Sequence, residues 1–193
     1  MNYVFQRLLA ILILLAALPL IAAIAIANLL FNGWPVLYNG IRLGLNRKPF
    51  HCLKFRTMKT EADPFVDPGT IAEIEIYGKV RNDFRITRIG YILRRFSLDE
   101  LPQLWNVIRG DMALVGPRPI VDSEDKIYGK YSDKLHSVLP GMTGLWQVSG
   151  RNLTTYNRRI AINLYYVRHR SWKLDLWILY KTIWAVLGGR GAF

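Results

Sequence analysis

The sequence predicts an α+β fold, mostly helical with a few short strands, with a membrane-embedded helix at its front and an amphipathic helix at its end. Three observations carry this. Residues 8–31 run for 24 positions without a charge. Apolar residues recur at helical spacing in residues 86–95 and crowd residues 172–187. Strand signals are short and few, at residues 50–57, 113–115 and 144–148.

The apolar run is interrupted only by Pro19 and Asn28. As a straight helix it would measure roughly 36 Å, against a hydrocarbon core of about 30 Å. Three readings compete. A cleaved signal peptide has Arg7 for its positive flank and Ala25-Ile26-Ala27 for its cleavage pattern, but the run is too long for an ordinary signal core. A straight spanning helix is the second. The third enters the membrane, bends at Pro19 and returns, and the charges favour it. Only Arg7 and the amino terminus precede the run, and Arg42, Arg47, Lys48, Lys54, Arg56 and Lys59 follow it. No acid occurs in the first 60 residues, so both flanks read as cytoplasmic. Pro19 sits midway, leaving two arms of roughly 17 Å, where proline removes a backbone bond and kinks a helix.

The centre, residues 34–170, has mixed polarity and no internal repeat. Asp63-Pro64, Asp67-Pro68-Gly69, Gly116-Pro117 and Pro140-Gly141 mark loops. Ser97-Leu98-Asp99-Glu100 has the pattern of a capping box opening a helix over residues 101–107. In the last part, Trp172, Trp177, Tyr180 and Trp184 alternate with Lys173, Asp175 and Lys181. That mixture suits a helix lying in the membrane interface, or a helix packed on the domain. The chain accordingly divides into residues 1–33, 34–170 and 171–193.

Composition narrows the function. In 193 residues, 51% are hydrophobic and 26 Lys+Arg face 14 Asp+Glu, a net charge of +12. Such apolar content excludes disorder. One cysteine, Cys52, excludes a disulfide framework, and His51, His136 and His169 lack the spacing of zinc ligands. A basic nucleic-acid binder would fit the charge alone. The arginines, however, lie among glycines and prolines rather than along one helical face, so no nucleic-acid partner is expected. Nothing in the sequence specifies an oligomeric state.

The adjacent acids Asp99 and Glu100 stand out. They are explained either as residues of a first helical turn or as chemistry at a phosphoryl centre, where carboxylates act as nucleophiles and as Mg²⁺ ligands. Their company is cationic: Lys54 and Arg56, Arg94 and Arg95, Arg118 held between Pro117 and Pro119, and Arg151. Guanidinium groups on rigid flanks suit phosphate oxygens. A phosphohydrolase using the same acids is a rival within the enzymes.

Residues 54–58 (KFRTM), 97–119 (SLDELPQLWNVIRGDMALVGPRP), 140–152 (PGMTGLWQVSGRN) and 174–193 (LDLWILYKTIWAVLGGRGAF) together resemble the bacterial sugar transferase family. These are the monotopic polyprenol-phosphate phosphoglycosyl transferases. The resemblance implies transfer of a sugar-1-phosphate from a UDP-sugar to undecaprenyl phosphate with release of UMP. Asp99 matches the family nucleophile, which forms a covalent phosphosugar–aspartyl intermediate, and Glu100 matches the residue that binds the essential Mg²⁺. Lys54, Arg94, Arg118 and Arg151 match cationic positions around the site. Pro117-Arg118-Pro119 matches a motif implicated in nucleotide-sugar binding. Arg56 and Gln147 are counted with the phosphate-binding set. Leu18-Pro19 falls where many members carry Ser-Pro at the break of a re-entrant helix. The resemblance further implies a minimal catalytic form at the bacterial inner membrane, with its site on the cytoplasmic face. The tail resembles members that begin exopolysaccharide or O-antigen repeats. The alternative is a transferase that initiates glycoprotein glycans from a UDP-N-acetylated sugar.

Overall fold

The computed structural model describes residues 1–59, 83–150 and 154–188. It is mostly helical with four short strands among these residues. The first element, α1 (Tyr3–Asn32), is a single helix of 30 residues, roughly 45 Å long. Asn2 caps it, its side chain accepting from Val4 N at 3.0 Å. Pro19 lies inside α1 and does not end it. Among the described residues it is the one helix long and apolar enough to cross a membrane.

One stripe of α1 meets the rest of the protein. Gln6, Ala10, Ile24 and Asn28 are buried, and at 100° per residue they fall within about 40° of one another around the helix. Near the start, Gln6 Oε1 accepts from Val115 N at 3.1 Å. Near the end, Asn28 Nδ2 donates to the Arg56 carbonyl at 2.9 Å. The other sides of the helix are bare, with Leu8, Leu12, Leu15, Leu30 and Phe31 exposed.

After α1 comes an antiparallel hairpin, β1 (Leu37–Leu43) with β2 (Pro49–Phe55). The sequence pointed to β2 but not to β1. Then follow α2 (Arg88–Arg95), α3 (Gln103–Arg109) and β3 (Ala113–Val115). Next are α4 (Asp122–Tyr128), α5 (Ser132–Leu135), β4 (Gly141–Thr143) and α6 (Leu145–Val148). The chain closes with α7 (Tyr156–His169) and α8 (Trp172–Gly188). β3 and β4 pair in parallel, Ala113 with Gly141 and Val115 with Thr143. The strand expected at residues 144–148 is therefore wrong: the strand ends at Thr143, and residues 145–148 form a helical turn that buries Trp146.

The main core joins Phe50 and Cys52 of β2, Leu104 and Val107 of α3, Val115, Tyr166, Ile178 and Ala10 of α1. Buried Asn106 ties α3 to the open edge of β2. Its Nδ2 donates to the His51 carbonyl at 2.7 Å, and its Oδ1 accepts from Leu53 N at 3.0 Å. These bonds satisfy two strand groups that would otherwise be buried without partners.

α8 docks by a narrow strip. Asp175 and Ile178 are buried, Tyr166 donates its hydroxyl to Asp175 at 2.7 Å, and the Thr182 and Thr143 hydroxyls meet at 2.7 Å. Around that strip Trp172, Leu176, Trp177, Tyr180, Ile183, Trp184 and Leu187 remain exposed. The helix is packed on the domain and still presents a broad apolar face.

Candidate active site

The acid pair sits where α2 ends. Thr87 caps α2, its hydroxyl accepting from Gly90 N at 3.0 Å. Gly90 is needed because a β-carbon there would stand 2.2 Å from the Thr57 carbonyl oxygen. This close approach fixes Thr57 beside the helix, and Arg94 Nε donates to Thr57 Oγ1 at 2.8 Å.

Beyond Phe96 the chain reverses. Ser97 adopts a left-handed conformation (φ 54°, ψ 23°), and its side chain makes no capping bond. The capping box read from the sequence does not form. Residues Leu98–Glu100 make a 3-10 turn instead, and α3 begins only at Gln103, after Pro102. Packing is the cause: Leu98 and Leu101 are drawn into the cluster of Ile24, Phe55 and Leu93. Apolar residues on both sides of the acids thus seat them against the second half of α1.

Within the turn Asp99 is buried, with 7% of its surface exposed, and Glu100 is half-buried. Lys54 Nζ, from β2, donates to Glu100 Oε1 at 2.5 Å. Burial pushes the Asp99 carboxyl up to about 6, with Glu100 adding to the effect while Lys54 and Arg94 oppose it. Roughly nine in ten Asp99 side chains are then still ionised at neutral pH. Burial also lowers Arg94 from its ordinary value, but an arginine keeps its charge.

A second cationic group comes from the loop after β3. Gly116 and Gly141 let the two chains touch backbone to backbone, a β-carbon on Gly116 meeting Gly141 N at 2.6 Å. The Pro117 carbonyl accepts from Gly141 N at 2.8 Å, which holds Pro117, Arg118 and Pro119 in place. Arg118 lies 5.3 Å over the Trp146 ring, and its buried Nε makes no hydrogen bond. Arg159 lies 4.9 Å from the same ring and donates to Glu124 at 2.9 Å. Burial lowers Arg118, with the Arg159 charge acting in the same direction; Glu124 and Glu100 pull the other way. Glu100 therefore lies within electrostatic reach of Arg118.

The sequence pattern of the family described as bacterial sugar transferase matches residues 1–189. The chain belongs to the bacterial sugar transferase family. Its relatives include an exopolysaccharide production protein, ExoY, of Sinorhizobium fredii, 41% identical over 98% of this chain and 86% of the relative. An undecaprenyl-phosphate galactose phosphotransferase of Salmonella typhimurium is 45% identical over 84% of this chain. A UDP-glucose:undecaprenyl-phosphate glucose-1-phosphate transferase of Xanthomonas campestris is 38% identical over 97% of it. The chain spans only 35% and 39% of the last two.

In this sugar transferase the expected residues divide into groups. Asp99, Glu100, Lys54 and Arg94 come together, and Arg118 is near enough to feel Glu100. Arg56 goes elsewhere: its guanidinium donates to the carbonyls of Asn32 and, at 2.7 Å, of Gly33, closing the end of α1. The structure thus uses Arg56 on backbone groups left free at a helix terminus. Gln147 lies on α6 beside Trp146. Arg151 lies outside the described residues. Trp146, Glu124 and Arg159 were not singled out from the sequence. Trp146 does stand inside a motif that resembles the family, but Glu124 and Arg159 are 35 residues apart and no local spacing joins them.

Proposed function

We propose that this protein is a membrane-bound phosphoglycosyl transferase that moves a sugar-1-phosphate from a UDP-sugar to undecaprenyl phosphate and releases UMP. The observation that carries this is the acid pair. One buried carboxylate and one lysine-held carboxylate sit on a turn that packs against the long apolar helix. The relatives' names supply the substrate classes: one is a UDP-glucose enzyme, and two act on undecaprenyl phosphate.

In this reading an Asp99 oxygen attacks the phosphorus that carries the sugar. The bond from that phosphorus to the bridging oxygen breaks, and UMP leaves with the electron pair. An oxygen of the lipid phosphate then attacks the same phosphorus and frees Asp99. A carboxylate approaching a diphosphate is repelled, so cations must screen the encounter. In this reading Lys54 and Arg94, whose charges act on Asp99, provide that screening, and Arg118 meets the nucleotide part.

The acids also fit a magnesium ion. Among the described residues no group of three or more His, Cys, Asp or Glu could hold a metal. Mg²⁺ does not need one, since it takes one or two carboxylates and completes its shell with water and substrate phosphates. Glu100 would hold it, beside the buried carboxylate of Asp99. Bound there, Mg²⁺ supplies charge neutralisation on the diphosphate oxygens.

Helix α1 supports a re-entrant arrangement. Gln6 and Ala10 near its start and Ile24 and Asn28 near its end meet the same domain, whereas a spanning helix parts its ends across the bilayer. Both flanks are basic, which supports a site on the cytoplasmic face of the inner membrane. The apolar face of α8 supports an interfacial position for the tail. Residues 1–33, 34–170 and 171–193 would then be the membrane helix, the catalytic domain and the interfacial helix of one unit.

The test is UMP release by the purified protein in lipid nanodiscs, with undecaprenyl phosphate and a panel of UDP-hexoses and UDP-N-acetylhexosamines. Release that depends on the lipid, together with a phosphosugar adduct on Asp99 when the lipid is withheld, is the expected result. Free sugar phosphate without any lipid acceptor would make the protein a phosphohydrolase. Full turnover by Asp99→Asn would refute the covalent route.

A further inference from the structure

Strand β1 carries side chains that the proposed reaction has not yet used. The hairpin register sets Tyr38 opposite Lys54, Gly40 opposite Cys52 and Arg42 opposite Phe50. Residues paired across an antiparallel ladder project to the same face. Tyr38 and Arg42 therefore share the face from which Lys54 reaches Glu100.

Gly40 leaves an opening on that face. A β-carbon there would stand 2.8 Å from Cε1 of Tyr38, 2.9 Å from its hydroxyl and 3.1 Å from Arg42 Nη1. The two side chains thus fold toward each other over the residue between them. A β-carbon at position 40 would make the ends of these side chains shift.

Among the described residues Arg42 has no counter-ion. Its Nη1 donates to the Ile41 carbonyl at 2.8 Å. Lys54 and Arg159, by contrast, are each matched to a glutamate. The Arg42 charge acts on both Cys52 of β2 and Arg118 of the Pro117–Pro119 loop. A guanidinium with no carboxylate partner among the described residues, beside a phenol hydroxyl, offers phosphate two parallel N–H donors and a third donor from oxygen.

We propose that Tyr38 and Arg42, brought together over Gly40, form a further phosphate-binding arm of the active site. This rests on reading the Asp99–Glu100 turn as a phosphoryl-transfer centre. The arm grips the non-bridging oxygens of a substrate phosphate, either the diphosphate of the UDP-sugar or the monophosphate of the lipid.

The test uses the full chain in nanodiscs, with the UDP-sugar and undecaprenyl phosphate varied separately. Arg42→Ala raises the KM for one of the two about tenfold or more, as loss of a charge-assisted contact requires. A rise for the UDP-sugar assigns the arm to the diphosphate, and a rise for undecaprenyl phosphate assigns it to the lipid. Arg42→Lys, which keeps the charge without the fork, recovers only part of the loss. Gly40→Ala raises the same KM although it removes no polar group, a result that a merely structural role for Arg42 would not give. Tyr38→Phe carries the test if Arg42→Ala fails to fold, since it removes one oxygen and no packing. If the unmodified protein turns over and both KM values stay within about twofold in Arg42→Ala, Gly40→Ala and Tyr38→Phe, the arm is refuted and the reading of the acid pair stands. If the unmodified protein turns over no UDP-sugar, that reading falls and takes the arm with it.

Discussion

Asp99→Asn should make the protein inactive and, above neutral pH, more stable. The carboxyl of Asp99 titrates near 6 in the folded protein, against an ordinary 3.8, chiefly because burial penalises its charged form. That difference of about 2 pK units corresponds to about 3 kcal/mol. The sign follows from proton linkage. Between the two values the folded protein holds a proton that the unfolded chain has lost, so stability falls as pH rises through that window. Below about pH 4 both states are protonated and the cost is absent; above about pH 7 it is complete. The attraction of Lys54 and Arg94 is already contained in the value of 6, so the figure is a net one.

Asparagine keeps the shape of the side chain and cannot ionise. Thermal unfolding of the two proteins in matched nanodiscs, from about pH 4 to pH 8, should therefore give curves that diverge. The variant gains on the parent as pH rises, reaching a difference of about 3 kcal/mol at the alkaline end. Comparing one variant with its parent at each pH cancels the titration of the groups that do not interact with Asp99. A pH-independent difference, or one that grows toward acid, would refute the reasoning. Activity supplies the matching half: the parent's rate should fall below about pH 6 as Asp99, the nucleophile we propose, takes up its proton.

Three other outcomes follow. Asn106→Leu strands the His51 carbonyl and the Leu53 amide of β2, and should cost about 2–4 kcal/mol in unfolding measurements. Arg159→Met leaves Glu124 without its partner and should cost about 3–5 kcal/mol, while adding Glu124→Met to it should recover much of that loss in a double-mutant cycle. Burial pushes Glu124 up, but Arg159 and Arg118 outweigh it and hold the carboxyl below its usual range. The contribution of Glu124 is thus present at neutral pH and fades as pH falls through its folded value. Ser97→Val should be less stable than Ser97→Gly by about 1–2 kcal/mol, because only glycine takes the left-handed conformation freely.

What the sequence revealed and what it concealed have a common physical basis. α1, α2 and α8 were legible because their apolar residues repeat along one stretch of chain. β1 was not, because Gly40 is its only buried residue and its order comes from pairing with β2. Residues 144–148 looked like a strand because so short a stretch with apolar members fits either period. Arg56 looked like a partner of Lys54 because the two lie two residues apart in one motif. β2 ends at Phe55, however, and the chain beyond turns Arg56 to the carbonyls of α1.

The capping box is the most informative failure. In the sequence, the plainest explanation of Asp99 and Glu100 was helix initiation, with Glu100 folding back to the backbone of Ser97. Packing of Leu98 and Leu101 on the Ile24 cluster forces Ser97 into a left-handed turn, and that explanation loses its geometry. Glu100 is bonded to a lysine from another element, and Asp99 is buried at a cost that no helix cap requires. A fold that accepts a left-handed serine and a buried carboxylate within three residues concentrates its unfavourable terms in one turn. Such terms persist where the surrounding structure enforces them, and they cluster where chemistry is done. The disagreement between local pattern and structure thus argues for the acid pair as an active site more strongly than the pattern did.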